Sequence, residues 1–397
     1  MKASSNKVSW ATRRIFGQNS YELHANSVQL ALTAAGAHMA PVTFFPDSES
    51  PIRPYAIAPW AEEALPPGTP QILASLRGDF FCSAFGANAE PYRGVHLPLH
   101  GETANAEWQP IARRNENAGS WIKLGMDLPL QGGRCEATTA LLHDHSVIYQ
   151  RHDLTALSGP INPGHHATIT FPTTPASGRL SFSRYVQART YFEPVERPET
   201  GGRSYFKADA DIADLRAVPC IEGTTDITAY PARQGFEDVA ILCADPTLPL
   251  AWSAVTFQSQ GYLWFTLRDP EQLTCTLLWY SNGGRDYPPW NGRHVNVMGI
   301  EDMTGYFQTG LTASSRPNAL SNLGVRTCLE PTRGQRLVIP YIQGVTRVPA
   351  GFDRVTQIQP HSNGRGLRML ADSGVAVEVP CQVDFLWSGQ LPGLDLS

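Results

Sequence analysis

Apolar and polar positions alternate along most of this chain, and the alternation is broken repeatedly by glycine and proline. A two-residue period places side chains on the two faces of a strand, and Gly or Pro between such segments marks a turn. The pattern therefore predicts antiparallel strands with few and short helices. It occupies 135–142, 145–151, 166–171, 180–183, 186–192, 239–243, 251–258, 262–267, 273–280, 336–342, 354–360, 367–371 and 376–379.

An early hairpin is predicted by the same alternation. Segments 28–33 and 40–45 flank a turn of small residues, 34–39, which contains His38. Two alternating segments around such a turn favour a pair of adjacent strands. We expect His38, within the turn, to have a structural role.

Taken together, these segments predict an all-β protein. A dozen or more strands with almost no helix imply stacked antiparallel sheets, a large β-sandwich. A length of 397 residues is compatible with one such unit, because large sandwiches run long as single domains. Nothing in the middle of the chain resembles a flexible linker. We therefore expect an N-terminal extension at 1–20 and a single domain at 21–397.

Composition narrows the class of ligand. With 34 Gly, 32 Pro and 17% charged residues, the chain is too punctuated for coiled coil and too weakly charged for disorder. The formal net charge of −5, without a long basic run, argues against nucleic acid as a partner. A neutral or mildly polar small molecule fits better.

The cysteines and the N-terminus suggest the compartment. Seven scattered cysteines without a C-x-x-C pair indicate reduced thiols rather than a disulfide frame or a zinc knuckle. The first ten residues lack the apolar run of a secretory signal, and no window approaches a membrane span. We therefore expect a cytoplasmic protein, monomeric or homodimeric, without a membrane partner.

Residues 286–307 carry the densest candidate chemistry. Glu301 lies between Ile300 and an apolar cluster that follows it, so partial desolvation should raise its pKa toward the range of a general base. A helix start is the alternative interpretation of this carboxylate, because helix N-termini favour negative charge. The stretch also contains an aromatic plate, two cationic candidates and a second carboxylate: Trp290, Arg293, His294 and Asp302.

Further polar residues stand earlier in the chain. His96 and His100 flank a proline, which excludes the regular helical spacing of a zincin. A metal site built from these two histidines and Glu102 stays open, but a pair of sugar-facing hydrogen-bonding groups is favoured. His165 and His166 begin a strand, so only one of them can face a given pocket.

The order of these residues resembles that of the aldose 1-epimerase (galactose mutarotase-like) superfamily. Arg77, His100, His166, a mid-chain carboxylate and Glu301 follow one another as that family's functional residues do. His100-Gly101 is similar to its His-Gly, and 162–166, Asn-Pro-Gly-His-His, is similar to its Asn-x-x-Asn-His. The family's His-Gly-Gly is His-Gly-Glu here, which indicates an outlying branch. The resemblance implies a galactose mutarotase-like sandwich and a small-molecule sugar as ligand.

The implied reaction is the interconversion of α and β anomers of an aldose. A base takes the proton of the anomeric hydroxyl while an acid protonates the ring oxygen, and the roles reverse after rotation in the open chain. The resemblance assigns Glu301 as base and His166 as acid, on opposite sides of the sugar. His100 and Arg77 would hold sugar oxygens. Neither a metal nor another cofactor is required.

Other residues are expected to bind the sugar. His96 would assist His100, Trp290 would supply a stacking face, and Arg293 would add a cation. Asp238 is the preferred mid-chain carboxylate by spacing, with Glu237 and Asp245 as rivals.

Two alternative functions remain. The same scaffold could carry a non-catalytic sugar-binding or regulatory protein, because fold does not fix function. A glycoside hydrolase or lyase would need two carboxyl groups facing one bond. Glu301 could form such a pair with Glu102, whereas its sequence neighbour Asp302 is unsuited to converge on the same atom.

Overall fold

Antiparallel strands dominate the computed structural model, which describes residues 11–332 and 334–396. The predicted all-β class is confirmed, because the helices of the described part have only four or five residues. The strands are β1 (Arg13–Ile15), β2 (Gln18–His24), β3 (Val28–Thr33), β4 (Met39–Phe44), β5 (Phe81–Cys82), β6 (Gln109–Glu116), β7 (Gly119–Asp127), β8 (Arg134–Leu142), β9 (Val147–Thr155), β10 (Gly164–His165), β11 (Ala167–Thr170), β12 (Gly178–Phe182), β13 (Tyr185–Thr190), β14 (Val218–Pro219), β15 (Thr224–Thr225), β16 (Ala229–Tyr230), β17 (Phe236–Ala244), β18 (Ala251–Phe257), β19 (Tyr262–Arg268), β20 (Cys275–Asn282), β21 (Val297–Met303), β22 (Leu337–Arg347), β23 (Val355–Pro360), β24 (Leu367–Ala371) and β25 (Ala376–Val379). The helices are α1 (Gln71–Ser75), α2 (Leu311–Ser314) and α3 (Phe385–Ser388), with 3₁₀ turns at Pro198–Thr200, Gln258–Gln260 and Ser321–Leu323.

Two large sheets form the sandwich. Nine strands follow the order β16-β12-β18-β19-β22-β9-β8-β7-β6, and seven strands form the second sheet, ordered β13-β17-β20-β21-β10-β5 with β11 also paired to β21. Their facing sides share one apolar core, to which Ile148 and Tyr341 contribute from the larger sheet and Leu278 and Ile300 from the smaller. Burial of these side chains between the sheets is the main stabilising contribution.

The predicted early hairpin is confirmed. β3 and β4 pair in antiparallel register, within a four-stranded sheet that begins with β1 and β2. The turn residue His38 is fully buried, and its Nε2 lies 2.9 Å from the carbonyl oxygen of Ala104. The expected boundary after residue 20 falls inside β2, whereas the predicted absence of a signal at 1–10 lies outside the described residues.

A C-terminal segment covers the outer face of the nine-stranded sheet. β23, β24 and β25 form a three-stranded sheet, and apolar side chains from 348–396 pack on outward-facing residues such as Trp121 and Phe265. Hydrogen bonds hold the end of the chain, since Lys123 Nζ donates to the Leu396 carbonyl and Arg151 Nη1 donates to that of Gly389, at 3.1 and 2.8 Å.

The outer face of the seven-stranded sheet carries a second apolar layer. Val239 and Ile241 of β17 project into it, while their neighbours Ala240 and Leu242 project into the sandwich core. Side chains from α1 and the surrounding loops pack on this layer and enclose a cavity above the sheet. No helix in the described ranges is long and apolar enough to cross a membrane.

Candidate active site

The cavity above the seven-stranded sheet has a volume of about 330 Å³. Its floor contains His166 and Glu301, and its walls include the α1 region, the loop after β13 and the loop after β20. Of the sequence-predicted residues, the cavity brings together His100, His166, Trp290 and Glu301.

His166 and Glu301 are cross-strand neighbours. Ala167 pairs with Ile300 between β11 and β21, so the next position along the register sets His166 opposite Glu301 with both side chains on one face. His166 Nε2 lies 3.3 Å from Glu301 Oε1. The expectation that the two groups flank the sugar from opposite sides is therefore wrong, because no ring fits between atoms this close.

Glu301 lies in the middle of a strand, which rules out the helix-start interpretation. Its side chain is 2% exposed, and its Oε1 faces His166 Nε2. Burial raises its pKa well above the ordinary value. Gly299 provides the space for this side chain, because a Cβ atom at that position would lie 2.3 Å from Glu301 Oε1.

The His166 imidazole is held by an aromatic stack. Phe80 lies between the rings of His166 and His38, with centroid distances of 4.5 and 4.0 Å. His166 Nδ1 is 3.2 Å from the hydroxyl oxygen of Thr168, and burial lowers the His166 pKa to about 4. Burial therefore favours the uncharged form of both groups, the protonated carboxyl of Glu301 and the neutral imidazole of His166.

His100 presents a hydrogen-bond donor beside this pair. Its Nδ1 accepts the backbone N–H of Gly86 at 3.3 Å, so the neutral ring carries its proton on Nε2. Its centroid is 4.8 Å from that of His166. The next residue must be glycine, since Gly101 has a φ of +79° and a Cβ there would lie 1.8 Å from the Ser83 carbonyl oxygen.

Two tryptophans and an arginine complete the polar side of the cavity. Arg285 Cζ stacks 4.4 Å from the ring centroid of Trp290 and 5.4 Å from that of Trp279. Its Nε donates to Glu196 Oε1 at 2.6 Å, which leaves the terminal guanidinium nitrogens without a hydrogen-bond partner among the described residues. The sequence pattern did not single out Arg285 or Trp279, although Trp279 stands near the end of the predicted strand 273–280 and Arg285 directly precedes the 286–307 stretch.

Glu237 is the carboxylate that supports this face. Trp279 Nε1 donates to its Oε2 at 2.8 Å and the Ser281 hydroxyl to its Oε1 at 3.0 Å. Burial raises the pKa of Glu237 to about 7. The prediction that Asp238 is the mid-chain binding carboxylate is wrong. Its side chain points away from the cavity and accepts the backbone N–H groups of Tyr205 and Phe206, both at 2.8 Å.

Three further predicted binding residues lie away from the cavity. Arg77 is buried, and its guanidinium donates to the carbonyl oxygens of Ser75, Ile15 and Phe16. His96 is exposed. Arg293 forms a bidentate ion pair with Glu63, with N–O distances of 2.6 and 3.0 Å. None of the three lines the cavity.

The remaining histidine and carboxylate candidates also lie outside the cavity lining. His294 stacks on Trp279 with centroids 5.4 Å apart, behind the cavity lining. Glu102 accepts the backbone N–H groups of Leu130 and Gln131, both at 3.0 Å, which argues against its pairing with Glu301 in the hydrolase alternative. His165 turns into the sandwich core and lies 2.9 Å from Asp79. In residues 11–332 and 334–396, no three His, Cys, Asp or Glu side chains cluster as metal ligands.

Comparisons with known proteins define the class of fold. No family model and no curated protein sequence matches the chain. Among solved structures, a provisionally assigned aldose 1-epimerase from Escherichia coli K12 is 14% identical, with a TM-score of 0.56 over 84% of this chain and 100% of that one. One from Klebsiella pneumoniae is 12% identical, with a TM-score of 0.58 over 84% and 80%.

A third solved structure is also similar to this chain. A galactose mutarotase related enzyme from Lactobacillus acidophilus is 12% identical, with a TM-score of 0.53 over 83% of this chain and 99% of that one. The chain therefore has the galactose mutarotase-like fold, as its sequence predicted.

Proposed function

We propose that the protein is a mutarotase that interconverts the α and β anomers of an aldose. The observation that carries this proposal is the pair of Glu301 and His166, 3.3 Å apart in a desolvated cavity of a galactose mutarotase-like fold. Anomer exchange needs one base and one acid at neighbouring oxygens, and it needs no metal or other cofactor.

The pair can serve both halves of the reaction with a single proton. One member takes the proton of the anomeric O1 hydroxyl while the other protonates ring O5, and the C1–O5 bond breaks to give the open-chain aldehyde. Rotation about C1–C2 turns the carbonyl, and closure reverses both transfers. Because O1 and O5 are bonded to the same carbon, two adjacent groups can reach both. Such general acid–base catalysis contributes ~10²–10⁴-fold in rate.

Other lining residues would orient the sugar. The Nε2–H of His100 and the terminal guanidinium nitrogens of Arg285 are donors toward hydroxyl oxygens, and the Trp290 ring can contact a C–H face. Burial around the pair excludes water, which strengthens these electrostatic contacts.

A polarimetric test follows. Freshly dissolved α-D-galactose and α-D-glucose are monitored with and without protein, and we expect a rate above the spontaneous one that scales with protein concentration. Failure to accelerate any aldose, combined with a tryptophan-fluorescence change on adding sugar, would support the sugar-binding alternative. Release of nitrophenol from nitrophenyl glycosides would support a hydrolase.

A further inference from the structure

Aliphatic side chains form much of the cavity wall around the catalytic pair. Ile72, Leu73 and Leu76 line it from the α1 region, and Val239 and Leu277 line it from the sheet. Leu277 is the cross-strand partner of Glu301, so this apolar surface reaches the reacting groups. Hydroxyl groups of a sugar gain no hydrogen bond from such residues.

Few buried polar groups are available to replace those hydrogen bonds. Arg77 and Asp238 are engaged with the backbone, and Arg293 with Glu63, outside the cavity. Apart from the catalytic pair, His100, Arg285 and the two tryptophans, the polar lining comprises side chains that are half-buried or exposed: Tyr191, Glu193 and Gln308. Glu193 is further occupied by an ion pair with Arg197 at 3.0 Å.

The balance of these groups defines a substrate class. A buried hydroxyl without a partner weakens binding by roughly 10-fold, whereas a carbon atom in the same place gains from leaving water. We propose that the substrate is an aldose in which an apolar group replaces at least one hydroxyl, as in a deoxy or O-methylated sugar. This inference rests on the proposed mutarotase function and specifies its substrate.

Matched sugar pairs test the inference. Anomer exchange is measured by proton NMR, with the spontaneous rate subtracted, for D-galactose against 6-deoxy-D-galactose. D-Glucose is compared with its 6-deoxy, 2-deoxy and 3-O-methyl derivatives. We expect kcat/KM to be ~10-fold or more higher for at least one modified sugar than for its parent. If every parent is exchanged as fast or faster, the inference is wrong and the mutarotase proposal stands. If no sugar is exchanged, both fail.

Variants of the wall link the preference to these side chains. Leu73→Gln should reduce the preference for the modified sugar by several-fold, because it adds a hydrogen-bonding group to the apolar wall. Leu99→Gln offers a second test at another half-buried lining position. Leu65→Gln is the matched control, since Leu65 packs on the same apolar layer without lining the cavity. An unchanged preference in both folded lining variants would overturn the inference.

Discussion

Glu301 and Asp302 are neighbours in sequence, but their carboxyl groups lie on opposite faces of β21 in opposite environments. Asp302 points into the sandwich core and accepts hydrogen bonds from Arg268, Thr266 and Tyr341 at 2.6, 2.6 and 2.8 Å. Glu301 points into the cavity, where its Oε1 lies 3.3 Å from His166 Nε2. Strand alternation thus gives one carboxylate to the core and leaves the other for proton transfer.

Removing either member of the pair should abolish most of the catalysis. We expect Glu301→Gln and His166→Asn each to lower kcat by ~10²-fold or more, because one proton transfer then depends on water. KM should change only a few-fold, and the double variant should be little slower than either single one, since the two groups act as a unit. Polarimetric kinetics with the preferred sugar measures these effects.

Matched controls are available at exposed positions. Glu199→Gln and His96→Asn make the same chemical changes on the surface and should leave the rate unchanged. Full activity in both Glu301→Gln and His166→Asn would show that the pair does not carry the reaction.

Gly299→Ala tests the space that Glu301 needs. Because the added methyl group would overlap Glu301 Oε1, the carboxyl group must move away from its position beside His166. We expect kcat to fall by ~10-fold or more, since small misplacements of reacting groups are costly. Gly159→Ala is the control, as its Cβ would meet no atom closer than 3.6 Å. Equal kinetics for the two variants would contradict this assignment.

Arg285→Lys tests the role of the missed cation. Lysine keeps the charge beside Glu196 but loses the planar group that stacks on Trp290. We expect KM to rise ~10-fold with kcat within a few-fold of the original, the pattern of lost substrate binding. Arg293→Lys, outside the cavity, should change neither constant. A fall in kcat at constant KM would instead assign Arg285 to the chemical step.

Stability should decline with acid because histidines are buried in neutral form. Burial lowers the pKa of His38 and of His294 to about 3. In the unfolded chain these histidines bind protons below pH ~6.5, whereas in the folded protein they stay neutral down to about pH 3. The free energy of unfolding is therefore unaffected by them above pH ~6.5. Between that pH and about 3 it falls by ~1.4 kcal/mol per histidine and pH unit. Urea unfolding at pH 7 and pH 5 measures the loss, which should be smaller in His38→Gln. An equal loss would contradict the burial argument.

Local patterns in the sequence were sufficient for the early hairpin and for most of the long strands, although they missed β1, β2, β6 and β7. The family resemblance, rather than a local pattern, associated Glu301 with His166. The local patterns did not distinguish Glu237 from Asp238, because β17 is buried on both faces and both of its alternating sets are apolar. If the alternation is read one residue out of step, the other carboxylate is assigned to the cavity side of the strand. A strand without a polar face gives no sequence signal that fixes which residues are on which side.

Long-range contacts explain the other errors. An arginine in an apolar run needs partners, and Arg77 finds them in the carbonyl oxygens of Ile15 and Phe16, far away in sequence. Arg285 and Arg293 lie on either side of Trp290 in the loop after β20. The path of the backbone places Arg285 in the cavity wall and leaves Arg293 outside it, paired with Glu63. Such arrangements depend on tertiary structure that a motif does not encode.

The packing of residues 348–396 on the outer face of the nine-stranded sheet has a consequence for biosynthesis. The strands of that sheet leave the ribosome before residues 348–396, which bury the apolar outer face. Until residues 348–396 have been made, the face stays exposed, and chaperones can bind it. A message truncated at residue 347 would therefore encode all the residues of the candidate site in a polypeptide prone to aggregate.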